Sequence, residues 1–139
     1  MKTSCGFIIK DKNTGLFLGC LPTGRKKRDT DCCDIPKGCI EDTDHGYLSV
    51  AIRELKEETG IEFMDLDNIE KLGLVDYLKD KNLYMFYAET DIDLKKLKCT
   101  STFVDANGKN VPEMSTFMLG DLSIFRPKMR EAIIKALKI

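Results

Sequence analysis

Three glutamates lie close together near the end of a segment with helical spacing. They are Glu54, Glu57 and Glu58, in the run Arg53-Glu54-Leu55-Lys56-Glu57-Glu58-Thr59-Gly60-Ile61. At about 100° per residue, a helix would place the three carboxylates within an arc of about 100°. Clustered carboxylate oxygens are ligands that Mg²⁺ and Mn²⁺ prefer, so the cluster suggests a site for a divalent cation.

Gathering these glutamates is unfavourable for the helix itself. Glu54 and Glu58 are like charges four residues apart, which costs about 0.2–0.5 kcal/mol. All three carboxylates also lie in the last two turns, where the helix dipole favours cations. Because local preferences are broken without a visible compensation, we interpret the cluster as functional. The alternative is a solvated acidic face, with Arg53 and Lys56 as partial counter-charges.

The helix that would position the cluster can be predicted from the same part of the chain. Residues 47–59 have helical spacing, and Gly60 follows where a left-handed cap is favoured. The glutamates are expected on the face opposite the one that packs on a sheet. The apolar residues expected to pack there are Leu48, Ala51 or Ile52, and Leu55.

The segment before this helix offers a further ligand. Ile35-Pro36-Lys37-Gly38 predicts a strand that ends in a stiff proline followed by a flexible glycine. Such a turn allows a backbone carbonyl to approach a metal ion closely. The segment therefore favours the metal site over the solvated acidic face.

Alternating apolar residues predict a sheet around this helix. The predicted strands are residues 4–9, 16–21, 68–77, 83–89 and 116–119, the first two joined as a hairpin. A second amphipathic helix is predicted at 127–137, with an apolar side made of Met129, Ile133, Ile134 and Leu137. Residues 91–112 show only a helical turn near Leu94 and a loop at 105–110. This order predicts a mixed α/β fold with a sheet between helices.

The composition excludes several classes of protein. A chain of 139 residues predicts one domain, 1–139, with a core that needs no cross-links. The net charge of −1 excludes a broadly basic surface, although not a local basic patch. We expect a cytoplasmic protein without a membrane partner, since no signal-like segment or long apolar run is present. Six cysteines with His45 as the single histidine do not form a zinc pattern, and we expect these cysteines to be reduced.

Gly38 together with residues 53–61 resembles the Nudix box, G-x5-E-x7-R-E-U-x-E-E-x-G-U, in which U is aliphatic. The nine residues from Arg53 match at every fixed position. In the first half, Asp44 stands where glutamate is usual, and the loop that enters the helix has one residue more than the pattern. The order of elements is also similar to the Nudix fold, so we expect an αβα sandwich with a mixed β-sheet between helices.

The resemblance implies hydrolysis of a nucleoside diphosphate linked to another group, by attack of water on phosphorus. The implied ligands of Mg²⁺ (or Mn²⁺) are Gly38 through its carbonyl, Glu54, Glu57 and Glu58. The residues implied in catalysis are Glu54, Glu57, Arg53 and Glu113. Glu54 would be a ligand or a water-activating base, and Arg53 would orient the glutamates. Many members use a further glutamate from a loop late in the chain, and Glu113 is the best match for it. The alternative is that Glu113 is an ordinary surface residue.

The expected substrate contacts are Lys37, Arg25 and Lys27. Arg25 and Lys27 belong to a basic run, 25–28, that could bind phosphates or simply be a solvated loop. The aromatic residues available to stack a base, most of them expected in the core, are Tyr77, Tyr84, Phe86, Tyr87 and Phe103.

The sequence leaves three functions open. The first is hydrolysis of a small nucleotide, such as a dinucleoside polyphosphate or ADP-ribose. The second is pyrophosphate removal or decapping at an RNA 5′ end, and the third is a nucleotide-binding module without catalysis. Monomer and homodimer both remain open.

Overall fold

The computed structural model describes residues 1–139 and contains eight strands and two α-helices. The strands are β1 (Lys2–Asp11), β2 (Phe17–Pro22), β3 (Lys37–Cys39), β4 (Asp67–Leu78), β5 (Lys81–Thr90), β6 (Thr102–Val104), β7 (Asn110–Pro112) and β8 (Met114–Gly120). The α-helices are α1 (Tyr47–Thr59) and α2 (Pro127–Leu137). Short 3₁₀ turns occur at Phe63–Asp65, Leu94–Lys96 and Leu122–Ile124. Neither α-helix has the length and apolar character that crossing a membrane would require.

Six of the strands form one mixed sheet. Its order is β4-β5-β1-β2-β8, and β3 pairs with β1 off this path. β1 runs parallel to β5, whereas the pairs β1–β2, β1–β3, β2–β8 and β4–β5 are antiparallel. The predicted hairpin of the first two strands is confirmed. β6 and β7 form a separate two-stranded sheet, which we call the hairpin arm (102–112).

The two helices cover opposite faces of the main sheet. Successive side chains of a strand point to opposite faces, so β1 contributes to two cores. Ile8 packs with the α2 residues Met129 and Ile133. Phe7 and Ile9 pack with the α1 core, which includes Leu55. The predicted αβα sandwich with a mixed sheet between helices is therefore confirmed.

The helix α1 begins and ends at glycines with positive φ. Gly46 precedes its first residue with φ of 112°, and its carbonyl accepts the Val50 N–H. Gly60 follows its last residue with φ of 83° and donates its N–H to the Lys56 carbonyl. Both conformations are readily available only to glycine, which explains why the predicted bounds of this helix are confirmed.

The orientation of α1 differs from the expectation. Leu48 is 37% exposed, so its predicted packing on the sheet is wrong. The buried stripe instead consists of Val50, Ala51, Glu54, Leu55, Glu58 and Thr59. Two of the three glutamates thus share the face that packs on the sheet, and the expectation of an opposite acidic face is wrong for them.

Three short strands were not predicted. β3 contains Gly38, so this glycine lies within a paired strand rather than in a turn after one. β6 and β7 have three residues each and are largely exposed, so they show no alternation of apolar residues. Their connection is the predicted loop, in which the Asp105 carboxylate accepts the N–H groups of Asn107 and Lys109.

Candidate active site

Close packing of β3 on α1 brings Gly38 against Glu54. Gly38 is aligned with Cys5 of β1. A Cβ atom on Gly38 would lie 2.1 Å from Oε1 of Glu54, which no real pair of atoms allows. The Glu54 carboxylate therefore lies directly against the backbone of Gly38, and a side chain at this position would displace the carboxylate.

Glu58 is the least solvated carboxylate of the cluster. Its relative exposure is 0%, and neither of its carboxylate oxygens has a hydrogen-bond partner. Burial is the main cause that raises its pKa, followed by the proximity of Glu54. An isolated buried charge is unfavourable by several kcal/mol unless a cation compensates it.

Glu57 and Glu113 complete a group of four carboxylates. The pKa of Glu57 is raised by burial and then by the charge of Glu54. The pKa of Glu113 is raised by burial and then by the charges of Glu54 and Glu57. Glu113 lies between β7 and β8, where its N–H donates to the Ser101 carbonyl at 3.0 Å. The structure thus brings the predicted late glutamate to the cluster on α1.

Arg53 connects the cluster to the loop before α1. Its Nη1 lies 3.0 Å from Glu54 Oε1 and 3.7 Å from Glu57 Oε2. Its Nη2 donates to Asp44, at 3.3 Å from Oδ2. Asp44 Oδ2 also accepts the Glu41 N–H at 2.7 Å. Despite the additional loop residue, Asp44 therefore reaches the arginine of the motif.

Asp44→Asn should lower kcat/KM by about 10–100-fold, as expected for a residue that orients catalytic groups without touching substrate. The amide keeps an acceptor for the Glu41 N–H but removes the charge that binds Arg53 Nη2 and so positions its Nη1 at the glutamates. Steady-state kinetics of this variant, compared with those of Asp42→Asn, check the prediction, because Asp42 is an exposed carboxylate of the same loop. Equal activity of the two variants would contradict the role of Asp44.

Two adjacent cavities border the cluster. The first, the acidic cleft, has a volume of about 810 Å³ and is lined by polar residues only. The second, the charged chamber, has a volume of about 380 Å³ and is lined by Pro22, Thr23, Arg25, Asp34, Lys37, Glu58, Phe103, Glu113 and Met114. Glu113 lines both cavities. All four predicted catalytic residues line the acidic cleft and Glu58 lines the charged chamber, whereas Gly38 lines neither cavity.

The predicted substrate contacts are only partly brought together. Lys37 and Arg25 line the charged chamber, whereas Lys27 is exposed and lines neither cavity. Lys27 is therefore far less suited to contact a substrate bound at the glutamates. Arg25 is held by its Nη1, which donates to the Cys32 carbonyl at 3.1 Å and to Asp34 Oδ2 at 3.3 Å.

The sequence analysis missed Asp34, which anchors the cationic side of the chamber. This buried carboxylate pairs with Arg25 and, at 2.5 Å, with Nε of Arg126 at the start of α2. A guanidinium N–H of Arg126 also donates to the Tyr77 hydroxyl. The available signal was an aspartate between the apolar residues Cys33 and Ile35, since a buried carboxylate needs a cationic partner.

The carboxylates are not arranged as a complete metal site in this structure. No group of three or more His, Cys, Asp or Glu side chains is arranged so that it could hold a metal ion. Arg53 instead occupies the space between Glu54 and Glu57 as their counter-charge.

Comparisons with known proteins give a consistent result. The sequence matches the NUDIX domain family over residues 2–116. It is 36% identical over 125 residues to an uncharacterized 17.7 kDa protein from the e-segB intergenic region of Enterobacteria phage T4, covering 86% of this chain and 82% of the phage protein.

Solved structures share the fold at low sequence identity. A C. elegans Ap4A hydrolase in a binary complex has a TM-score of 0.59 and 20% identity, covering 98% of this chain and 86% of that one. The NUDIX domain of Shewanella oneidensis NrtR, in complex with ADP ribose, has a TM-score of 0.67 and 11% identity, covering 98% of this chain and 85% of that chain. An E. coli dihydroneopterin triphosphate pyrophosphohydrolase has a TM-score of 0.64 and 14% identity, covering 99% of this chain and 96% of that chain.

The family match spans every element that positions the cluster, from β1 to the first residues of β8. It includes Gly38, Asp44, the glutamates of α1 and Glu113. The chain therefore belongs to the Nudix hydrolase family, whose enzymes act on phosphoanhydride bonds.

Proposed function

We propose that the protein is a divalent-cation-dependent pyrophosphohydrolase that cleaves a nucleoside diphosphate linked to another group. The observation that carries the proposal is the environment of Glu58. Its carboxylate has no exposed surface and no hydrogen-bond partner, and it lies in a group with three further glutamates. A divalent cation would remove the cost of this arrangement.

The chemistry of the donor set fits such an ion. Carboxylate and carbonyl oxygens are the ligands of Mg²⁺ and Mn²⁺, and the absence of histidine and thiol donors from this set disfavours zinc. The residues that would hold the ion are Glu54, Glu57, Glu58 and the Gly38 carbonyl, with Glu113 as a further ligand or base. When bound, the ion supplies charge neutralisation on the phosphates and lowers the pKa of the attacking water.

The protein groups have separate roles in this proposal. Arg53 orients Glu54 and Glu57 through its Nη1. Glu113 is suited to accept a proton from water, because a carboxylate with a raised pKa is the stronger base. Lys37 contributes positive charge next to Glu58 and Glu113, and it would attract the substrate phosphates.

A small nucleotide is favoured over the 5′ end of an RNA. Of the four basic residues at 25–28, only Arg25 lines a cavity beside the glutamates, and Arg28 donates to the Asp31 carbonyl. The proteins that share this fold include an Ap4A hydrolase, a NUDIX domain in complex with ADP ribose and a dihydroneopterin triphosphate pyrophosphohydrolase. The chemistry common to these compounds is a phosphoanhydride attached to a heterocyclic group. Dinucleoside polyphosphates and ADP-ribose are therefore our first candidates.

A substrate screen tests the proposal. The protein should hydrolyse at least one nucleoside diphosphate derivative with Mg²⁺ or Mn²⁺, and not with EDTA, with products identified by mass. Triphosphate-ended RNA in the same screen separates the two enzymatic functions. Binding of nucleotides without hydrolysis of any compound would contradict the proposal and favour the binding module.

A further inference from the structure

The two cavities beside the glutamates differ in what they can bind. The acidic cleft has no apolar residue in its wall, so it offers no surface to a nucleobase. The charged chamber adds an aromatic ring, Phe103, to cations and carboxylates. Its volume of about 380 Å³ lies within the range of small-molecule sites, about 300–1,000 Å³.

Phe103 projects from the hairpin arm without a packing role that accounts for it. It is 41% exposed and belongs to none of the aromatic pairs of the molecule. Its strand neighbour across the arm is Val111. Exposing a large apolar ring to water is unfavourable, and a flat ligand stacked on it would reduce that cost.

The hairpin arm is attached to the same residues that carry the cluster. The Glu57 carbonyl accepts the N–H groups of Thr100, at 2.6 Å, and of Ser101, at 3.2 Å. The other end of the arm is joined to Ser101 through the Glu113 N–H. The base of the arm that carries Phe103 is thus hydrogen-bonded to the helix that carries the carboxylates.

The cations of the chamber have free capacity for a phosphate. Arg25 uses only Nη1 in its bonds to Cys32 and Asp34, so the donors on Nε and Nη2 have no protein partner. Lys37 Nζ makes no salt bridge, and its nearest aromatic contact is the Tyr77 ring at 5.7 Å.

Building on the proposed function, we propose that the charged chamber is the nucleoside subsite of the enzyme. Phe103 stacks on the base, and Arg25 and Lys37 bind the phosphate that remains attached to the nucleoside. Phe103 is then a specificity-determining residue, because it distinguishes nucleotides from phosphate compounds without a base.

Calorimetry with two ligands that resist cleavage tests this subsite. The ligands are α,β-methylene-ADP and methylenediphosphonate, which share the P–C–P group but differ in the nucleoside. With Mg²⁺ present, Phe103→Ala should weaken binding of α,β-methylene-ADP by about 5- to 150-fold, the range for loss of one base–aromatic stack. Binding of methylenediphosphonate should change by less than about twofold. Phe103→Tyr should retain the wild-type affinity for both.

The matched control is Val104→Ala, which removes the neighbouring, exposed side chain of the same strand. Similar affinities of Phe103→Ala and Val104→Ala for α,β-methylene-ADP would overturn the inference. So would equal weakening of both ligands, or a wild-type protein that binds the nucleoside ligand no better than methylenediphosphonate. Hydrolysis in the substrate screen with a negative result here would reject the subsite alone, whereas absence of hydrolysis would reject the proposed function.

Discussion

Glu57→Gln should lower kcat by about 10²–10³-fold while the free energy of unfolding stays within about 0.5 kcal/mol of wild type. The side chain of Glu57 is 39% exposed, and its one ion pair, to Arg53 Nη1, is 3.7 Å long. Neutralising it therefore costs the fold little. The expected loss of activity comes from removing a negative oxygen donor from the cation site. Steady-state kinetics with saturating Mg²⁺ measure the loss of kcat, and urea unfolding of the same preparations measures the free energy of unfolding.

The control for this variant is its neighbour in the helix. Lys56→Gln also removes one charge from α1, but the Lys56 side chain is 64% exposed and pairs only with Glu62. Its kcat should remain within about twofold of wild type. If Glu57→Gln loses no more activity than Lys56→Gln, the carboxylate of Glu57 has no part in the reaction.

Glu58→Gln should change stability and activity in opposite directions. In EDTA at neutral pH, the amide removes the cost of burying an unpartnered carboxylate or of protonating it, so the free energy of unfolding should rise by about 1–3 kcal/mol. With Mg²⁺, activity should be lost because a ligand is gone. A residue kept only for stability would not behave in this way.

The gain from Glu58→Gln should depend on pH. Burial raises the pKa of Glu58 in the folded state above its value in the unfolded chain. The native state then binds the proton more tightly, so the stability of the wild type falls as pH rises above the ordinary range of a glutamate. Urea unfolding in EDTA should show a difference between variant and wild type that is larger near pH 8 than near pH 5.

A matched control for the stability measurement is available on the second helix. Glu131→Gln alters an exposed carboxylate of α2, and its difference from wild type should stay small and nearly constant with pH. A Glu58→Gln protein that is less stable than wild type in EDTA at both pH values would contradict the account of Glu58 as a carboxyl group whose burial without a cation is unfavourable.

The parts of the fold that the sequence predicted are those determined by local patterns. The bounds of α1 follow from glycines at both of its ends, and the bounds of α2 from Pro127 and its apolar spacing. The five longer strands of the sheet match the predicted ones, with ends shifted by one or two residues. In each case several successive residues carry the signal.

The parts that escaped prediction depend on contacts between distant segments. The pairing of β3 with β1 requires Gly6, because a Cβ atom there would lie 2.6 Å from the Pro36 carbonyl oxygen. The burial of Asp34 is compensated by Arg25 and also by Arg126, which lies far along the chain. Neither fact is visible in a local pattern.

The candidate site was likewise predictable only where a local pattern carried the signal. The spacing within one helix predicted that Glu54, Glu57 and Glu58 lie together. It did not predict that Glu58 is fully buried, since that depends on the sheet beneath α1. Glu113 was predicted from the order of elements. Phe103 was one of five aromatic residues considered for stacking a base, but its place beside the cluster could not be predicted because the hairpin arm was itself missed.

The central claim is that the carboxylates of α1 bind a divalent cation. Diffraction from crystals soaked in Mn²⁺, recorded where manganese scatters anomalously, measures this directly. We expect an anomalous peak between Glu57, Glu58 and the Gly38 carbonyl. A map without a peak there would contradict the account.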